Sequence, residues 1–235
     1  MDIHPIGYLH SDFESRFGAP RQPGIVPEAR GELHLHPPYN NPEALSGLEG
    51  CTHIWLIVGF HATPDRPWRP TVRPPRLGGN QRCGVFATRS PFRPNHLGLS
   101  LVRQIGLLAP PACGLALRGV DLIDGTPVYD IKPYLPDIEA PTDAQPPDLM
   151  RTALPGLRVE WRASALAELA TAPAELKALI TATIAADPRP AYRRGQDAAH
   201  FGMRLAGYEV AWSVADETAW VESVSPAPGK DSKGR

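Results

Sequence analysis

Negative charge is missing from a long central stretch of this 235-residue chain. Between Arg66 and Val120 there is no Asp, Glu or Lys, yet nine arginines occur there: Arg66, Arg69, Arg73, Arg76, Arg82, Arg89, Arg93, Arg103 and Arg118. A formal net charge of −1 therefore conceals a strongly basic block, offset by carboxylates gathered in residues 121–148 and in the C-terminal third. Such a block is the electrostatic footprint expected of a surface that meets a polyanion; the competing reading is a set of arginines packed on prolines and aromatic rings.

Cysteine is scarce as well. Cys51, Cys83 and Cys113 are odd in number and form no C-x-x-C pair, which argues against a disulfide framework and a zinc knuckle and leaves each expected as a small core residue. No apolar run approaches the roughly 18 to 20 residues of a membrane helix, and residues 1–11 lack the basic-then-apolar pattern of a signal peptide, so a soluble protein of the cytoplasm is expected. Four fingerprints are missing: G-x-G-x-x-G after a strand, G-x-x-x-x-G-K-[ST], H-E-x-x-H and G-x-S-x-G. Dinucleotide, P-loop, zincin, α/β-hydrolase and Rossmann-type methyltransferase readings all lose their support.

What is abundant is proline, 28 residues beside 21 glycines, in a chain that is 42% hydrophobic and 21% charged. That apolar stock suits a globular protein, so the prolines read as rigid loops on a folded scaffold. The first 136 residues form short apolar segments broken by Gly and Pro: residues 3–8, 31–36, 53–60, 84–88, 97–107, 114–122 and 128–131. No amphipathic stretch of helix length separates them, which predicts a mainly β unit, a small barrel or sandwich. The run HIWLIVGF at 53–60 is nearly continuous in apolar residues and predicts a strand buried on both faces. Residues 137–156 are polar, carry four prolines and read as a linker. Residues 157–224 change texture to a smaller α+β domain, with helices expected at 164–172 and at 174–186, where Pro173 can start the second, and a hairpin at 208–214 and 220–224. The last eleven residues, 225–235, are expected to be a disordered tail.

Two loops carry chemistry. Residues 89–100 (RSPFRPNHLGLS) combine φ-fixing prolines with convergent Arg, Ser and Asn donors and a glycine that lets backbone approach, which suits holding a small polar ligand. Residues 121–136 (DLIDGTPVYDIKPYLP) are built in a similar way, since Asp124-Gly125 makes a turn and Asp130 and Lys132 point the same way on a strand. His34 and His36 could share a strand face, but no acidic or Cys partner stands at ligand spacing, so no metal is expected.

These segments also carry a resemblance. Pro20-Arg21-Gln22-Pro23-Gly24, GELHL at 31–35, Phe60-His61, WRPTVRPPRLGG at 68–79, GVFATRS at 84–90, FRPN at 92–95, Asp124-Gly125-Thr126-Pro127 and DIKPYLP at 130–136 together resemble the TsaA-like family of tRNA methyltransferases called TrmO. DPRPAYR at 187–193 resembles the mark of that family's C-terminal domain. The resemblance implies a small, non-Rossmann β-barrel that binds S-adenosyl-L-methionine, a homodimer, and methylation of N6 in N6-threonylcarbamoyladenosine at position 37 of tRNA. Carried over by position, cofactor contacts fall at Pro20, Arg21, Gln22, His61, Ala62, Arg89, Leu99, Asp124, Gly125, Thr126 and Pro127. Two positions depart from the family pattern: Ala62 stands where Gln is common, and His96 where Pro is common.

For that reaction the acceptor nitrogen must lose a proton, and Asp124, Asp130 and His61 are the candidate catalytic groups, a base being indistinguishable from a ribose-binding carboxylate by sequence. Arg69, Arg73, Arg76 and Arg93 can pair the substrate's threonyl carboxylate and the phosphates of the anticodon arm. Lys132, Tyr134, Arg189, Tyr192 and Arg193 complete the candidate tRNA surface. Two rivals are a non-enzymatic nucleic-acid-binding regulator built on residues 66–118, and a metal-dependent nucleotide hydrolase or transferase using Asp124 and Asp130.

Overall fold

The structure, a computed structural model, describes residues 2–64, 66–74, 81–147, 156–189, 193 and 199–228. Six strands of the first part close into an antiparallel barrel in the order β1-β2-β7-β6-β3-β8: β1 Gly7–Ser11, β2 Arg30–Leu35, β3 His53–Gly59, β6 Leu97–Leu107, β7 Gly114–Arg118 and β8 Thr126–Pro133. A two-stranded ribbon, β4 Thr71–Val72 with β5 Cys83–Gly84, lies in the arginine-rich excursion between β3 and β6. Closure leaves the barrel no free edge, and its inside is filled by alternate residues such as Leu9, Leu33, Leu56, Val58, Val102 and Leu115.

β3 is where expectation and structure part. Ile54, Leu56 and Val58 are buried, but Trp55 and Ile57 between them are only half-buried. A barrel has one interior, so the apolar residues on the outer face of β3 need other cover. Trp55 finds it in the ring of Tyr134, 5.9 Å away edge-on, and in Glu139, whose carboxylate accepts from the indole N–H at 3.1 Å. Glu139 belongs to α1, a single turn at Pro136–Glu139 inside the segment read as a linker; residues 148–155 of that segment lie outside the described residues.

The C-terminal part is a four-stranded sheet in the order β10-β11-β12-β9, with α2 (Ala163–Glu168) and α3 (Leu176–Ala185) packed on it. β11 (Tyr208–Ala215) and β12 (Thr218–Pro226) form the expected hairpin, and α3 starts three residues after Pro173. β9 (Arg158–Trp161), which runs parallel to β12, and β10 (Ala199–Leu205) lie outside the sequence expectation. The expected tail begins later than its composition suggests, because Ser225 and Pro226 still pair with Glu209 and Tyr208; residues 229–235 lie outside the described residues. Further up the chain, the strand expected at 3–8 is displaced to Gly7–Ser11, and that at 84–88 shrinks to Cys83–Gly84 before a tight helical turn at Val85–Ala87. The three thiols are free and half-buried; Cys51 and Cys113 pack on the barrel core, whereas Cys83 lies in the ribbon with its thiol 4.0 Å from the Val72 carbonyl. No helix among the described residues is long and apolar enough to cross a membrane.

Candidate active site

One mouth of the barrel opens into a cavity of about 570 Å³, within the usual range for small-ligand sites. Four chain segments build it: the β1–β2 loop, the residues just after β3, the loop from Thr88 into β6, and the turn that leads into β8. Gly98 is needed where β6 enters, since a Cβ there would stand 2.6 Å from the Phe60 ring. Of the eleven positions expected to contact a cofactor, eight line this cavity: Pro20, Arg21, Gln22, His61, Ala62, Arg89, Leu99 and Thr126. Asp124 and Gly125 stand just behind it; Gly125 takes φ +77 in the turn, and a Cβ on it would lie 4.0 Å from Nε2 of His61. Pro127 is buried in β8.

A chain of hydrogen bonds fixes the cavity's polar wall. Arg89 donates to Oε1 of Gln22 at 2.5 Å, Gln22 donates to the Arg21 carbonyl at 2.5 Å, and Arg21 donates to the carbonyls of Arg189 at 2.9 Å and Asp187 at 3.4 Å. The β1–β2 loop is thereby tied to the C-terminal domain. The segment after Thr88 is held by its own small hydroxyls: Thr88 accepts from the Ser90 amide and Ser90 from the Phe92 amide, both at 3.2 Å, while Arg93 donates to the Thr88 carbonyl at 2.8 Å. His96 closes it with φ +50, and the Phe60 amide donates to its carbonyl at 2.8 Å. A proline ring locks φ near −65°, so a proline could not follow this path. His96 and the shape of the loop therefore belong together.

A second, wider cavity of about 1130 Å³ adjoins the first and shares Arg21, Gln22, Thr88, Arg89, Pro91 and Arg93 with it. Arg66, Arg69, Arg73 and Arg82 line it with Trp68 and Phe92. The basic block thus divides: most of it faces this groove, whereas Arg118 is used structurally, donating to the Glu28 carbonyl at 3.1 Å. Arg76 and Tyr192 lie outside the described residues.

The structure does not bring the other candidates together. Asp130 is on the outer wall of β8, paired with Lys132 at 3.2 Å as the spacing predicts, and neither lines the cavity. Tyr134 follows the same strand and covers Trp55. Asp124 turns away from the cavity, accepting from the Ser11 amide at 3.4 Å and standing 3.2 Å from the His10 imidazole. Arg189 is not a surface cation: it is 6% exposed, and its guanidinium holds both oxygens of the Asp187 carboxylate at 2.7 and 3.2 Å. Two of its nitrogens are committed to that carboxylate, and the residue presents almost no surface to RNA. Arg193 is exposed, 6.0 Å from the centre of the Phe201 ring.

Sequence reasoning passes over Asp121 and Ser100. Asp121 lines the cavity, and the buried Ser100 hydroxyl donates to its Oδ1 at 2.5 Å. Burial pushes its carboxyl up to about 6, against the Ser100 hydrogen bond, its own backbone amide and the Arg89 charge, all of which pull it down. The available signal in the sequence is a carboxylate set between the apolar Val120 and Leu122, at the head of the second loop.

Residues 8–140 match the tRNA-methyltransferase O N-terminal domain, and residues 155–227 match the TrmO C-terminal domain. The chain belongs to the TrmO family. Among its relatives, the tRNA (adenine(37)-N6)-methyltransferase of Escherichia coli is 43% identical over 231 residues, covering 96% of this chain and 98% of that one. A protein of Methanothermobacter thermautotrophicus described as a probable S-adenosyl-L-methionine-binding protein is 39% identical over 140 residues, 59% of this chain and 93% of its own length. A crystal structure of TrmO aligns with a TM-score of 0.79 at 37% identity, covering 96% of this chain and 99% of the other. A TrmO structure from Pseudomonas aeruginosa aligns with a TM-score of 0.76, also at 37% identity, over 96% and 98%. This TrmO-family chain is therefore an enzyme of the tRNA methyltransferase class, with the barrel architecture read from its sequence.

Proposed function

We propose that this chain transfers the methyl group of S-adenosylmethionine to N6 of N6-threonylcarbamoyladenosine at position 37 in the anticodon arm of tRNA, acting in the cytoplasm as a homodimer. The observation that carries this reading is the convergence of eight family-type contact positions, from separate segments, on one cavity that opens into an arginine-lined groove. The methyl donor fits the residues present. Phe60, Leu97 and Leu99 offer apolar wall for its thioether and adenine, while Gln22 and Arg89 offer polar groups for its charged end. At position 62 only a methyl side chain and the backbone are available, so any polar contact there is a main-chain one.

S-adenosylmethionine supplies an electrophilic methyl group, and what remains for the protein is alignment, charge and proton removal. Arg89, held by Gln22, fixes one side of the cavity, and Leu97 and Leu99 line it with apolar surface. Arg69, Arg73 and Arg93 stand along the groove where bidentate pairing can hold a threonyl carboxylate and backbone phosphates, and Trp68 and Phe92 offer rings for unstacked bases. Lys132 and Tyr134 would serve RNA only by reaching it around the outer wall of the barrel, and Arg193 only from the C-terminal domain beside Phe201.

The test is direct. Purified protein is incubated with tritium-labelled S-adenosylmethionine, a chelator and total tRNA from cells that lack such an enzyme, and the label is located by nucleoside mass spectrometry. Label on threonylcarbamoyladenosine is the expected result. Label on another nucleoside would move the reading to a different acceptor, and failure to bind the donor would remove it.

A further inference from the structure

Among the described residues, eight arginines and a single carboxylate line the cavity and the groove beside it. The carboxylate is Asp121. Its neighbour Val120 is in the barrel core, 0% exposed, while Asp121 itself lines the cavity beside Leu122 and Ile123. Ser100, 1% exposed on β6, donates to Oδ1 and holds the group in one orientation. No other side-chain hydrogen bond to this carboxylate occurs among the described residues.

We propose that Asp121 is the catalytic base, the carboxylate that takes the proton from the acceptor nitrogen as that nitrogen is methylated; this rests on the substrate reading above. The ureido N–H of the substrate has a delocalised lone pair and attacks a sulfonium methyl poorly while it keeps its proton. In the step assigned here the N–H bond breaks and its proton passes to Asp121. The nitrogen electron pair forms the new bond to the methyl carbon, and the pair of the breaking S–C bond stays on sulfur. Asp121, now neutral, returns its proton to solvent, and no other reactant is needed.

The alternatives are placed less well. Asp124 and Asp130 do not line the cavity, and His61 is exposed at its rim. A base works best when its proton affinity lies near the working pH, and burial has moved Asp121 into that range, to about 6. The charged groups around it are Arg89 and Arg93 from the loop before β6 and Arg16 and Arg21 from the β1–β2 loop, with the titratable His61 after β3. Among the described residues no second carboxylate faces it in the cavity, so its raised value reflects desolvation and not like-charge repulsion.

Asp121→Asn separates a base from a mere counter-charge to the cationic methyl donor. Donor affinity is measured by calorimetry, and single-turnover methylation of threonylcarbamoyladenosine-containing tRNA is followed at saturating donor across the pH range. The expected result is donor affinity within about threefold of wild type, a rate lowered roughly 10²- to 10⁴-fold, and loss of the acidic limb expected of the wild type near pH 6. In Ser100→Ala the lost hydrogen bond raises the proton affinity of Asp121, so the acidic limb moves to higher pH with donor affinity unchanged. A variant that binds donor a hundredfold more weakly but regains the full rate at saturation overturns the proposal, as does an unchanged rate. Wild-type protein that binds donor yet leaves threonylcarbamoyladenosine unmethylated overturns the substrate reading instead, before any variant is compared.

Discussion

The barrel and the C-terminal domain differ in where their cores come from. The barrel fills its interior from its own strands, the short turn that carries Leu45, and Val120 and Leu122 of the β7–β8 connection. The C-terminal domain, centred on Trp212 and the Phe201 ring stacked 4.6 Å from it, takes in Phe13, Val26 and Ala29 from the β1–β2 loop of the other domain. Phe13 also pairs with Leu205, and Ala206 donates to the Asp12 carbonyl at 2.7 Å. Pro20, Arg21 and Gln22 lie between those anchors, so a wall of the cavity is positioned by a domain that, among the described residues, lends the cavity none of its own. A boundary drawn by position in the chain separates what folding joins.

The largest expected effect breaks that joint. Phe13→Ala removes a ring that is 1% exposed and should cost about 3 to 5 kcal/mol, read by urea unfolding. Donor affinity of the folded fraction should fall with it, because the loop loses its anchor. Leu56→Ala, deep in the barrel, should cost about 2 to 5 kcal/mol yet leave the affinity of the folded fraction near wild type. Equal loss of affinity in both variants would mean that the loop is not specially dependent on the C-terminal core.

The same contrast decides what the sequence can disclose. The barrel strands are legible because alternation and turn residues are local, and β6 has its expected bounds. HIWLIVGF misleads because an apolar run tells how much surface wants cover, not whether another sheet or a single tyrosine and glutamate supply it. β10 has a readable alternation, with Phe201, Met203 and Leu205 inward, but Gly202 and the exposed His200 and Arg204 weaken any strand propensity. β9 has only four residues and depends on a parallel partner sixty positions away, which no local pattern reveals. In the site, the motif loops are legible, whereas Asp121 needs the barrel to show which way it points. Arg189 is misread because a basic residue in a loop looks the same in sequence whether it meets water or a buried Asp187.

Asp121 also gives a stability test of the barrel mouth. Its carboxyl loses a proton near 3.8 in the unfolded chain and near 6 in the folded one, so the unfolded state ionises first as pH rises. Stability therefore falls between those values and stays lowered above them. Asp121→Asn removes this penalty and should raise stability at pH 7 by on the order of 1 to 3 kcal/mol, with little difference from wild type below pH 4. Thermal melts of both proteins at the two pH values check it; a variant less stable than wild type at pH 7 would show that the carboxylate is better compensated than its burial implies.

Arg21→Ala tests the tie between the two regions without emptying a core. The loss of its hydrogen bonds to the Arg189 and Asp187 carbonyls should cost about 1.5 to 3 kcal/mol and weaken donor binding roughly tenfold. Weakened donor binding with an unchanged melting temperature would instead make Arg21 a ligand contact alone.

The smallest effects sharpen a second contrast, between the groove and barrel arginines of the basic block. Each phosphate contact releases condensed counterions, so each one lost lowers the slope of log affinity against log salt by roughly one. Arg69→Ala and Arg73→Ala, both in the groove, should each flatten the tRNA-binding slope by about that amount and weaken binding to different tRNAs alike. Arg118→Ala should leave the slope unchanged while destabilising the fold, because that guanidinium donates to the Glu28 carbonyl and faces the partly buried Asp12, whose carboxyl burial already raises. Filter-binding titrations at several salt concentrations separate the two groups. If Arg118→Ala flattened the slope as much as the groove variants do, the groove would hold no privileged place in binding, and the charge of the whole block, not its geometry, would be what tRNA meets.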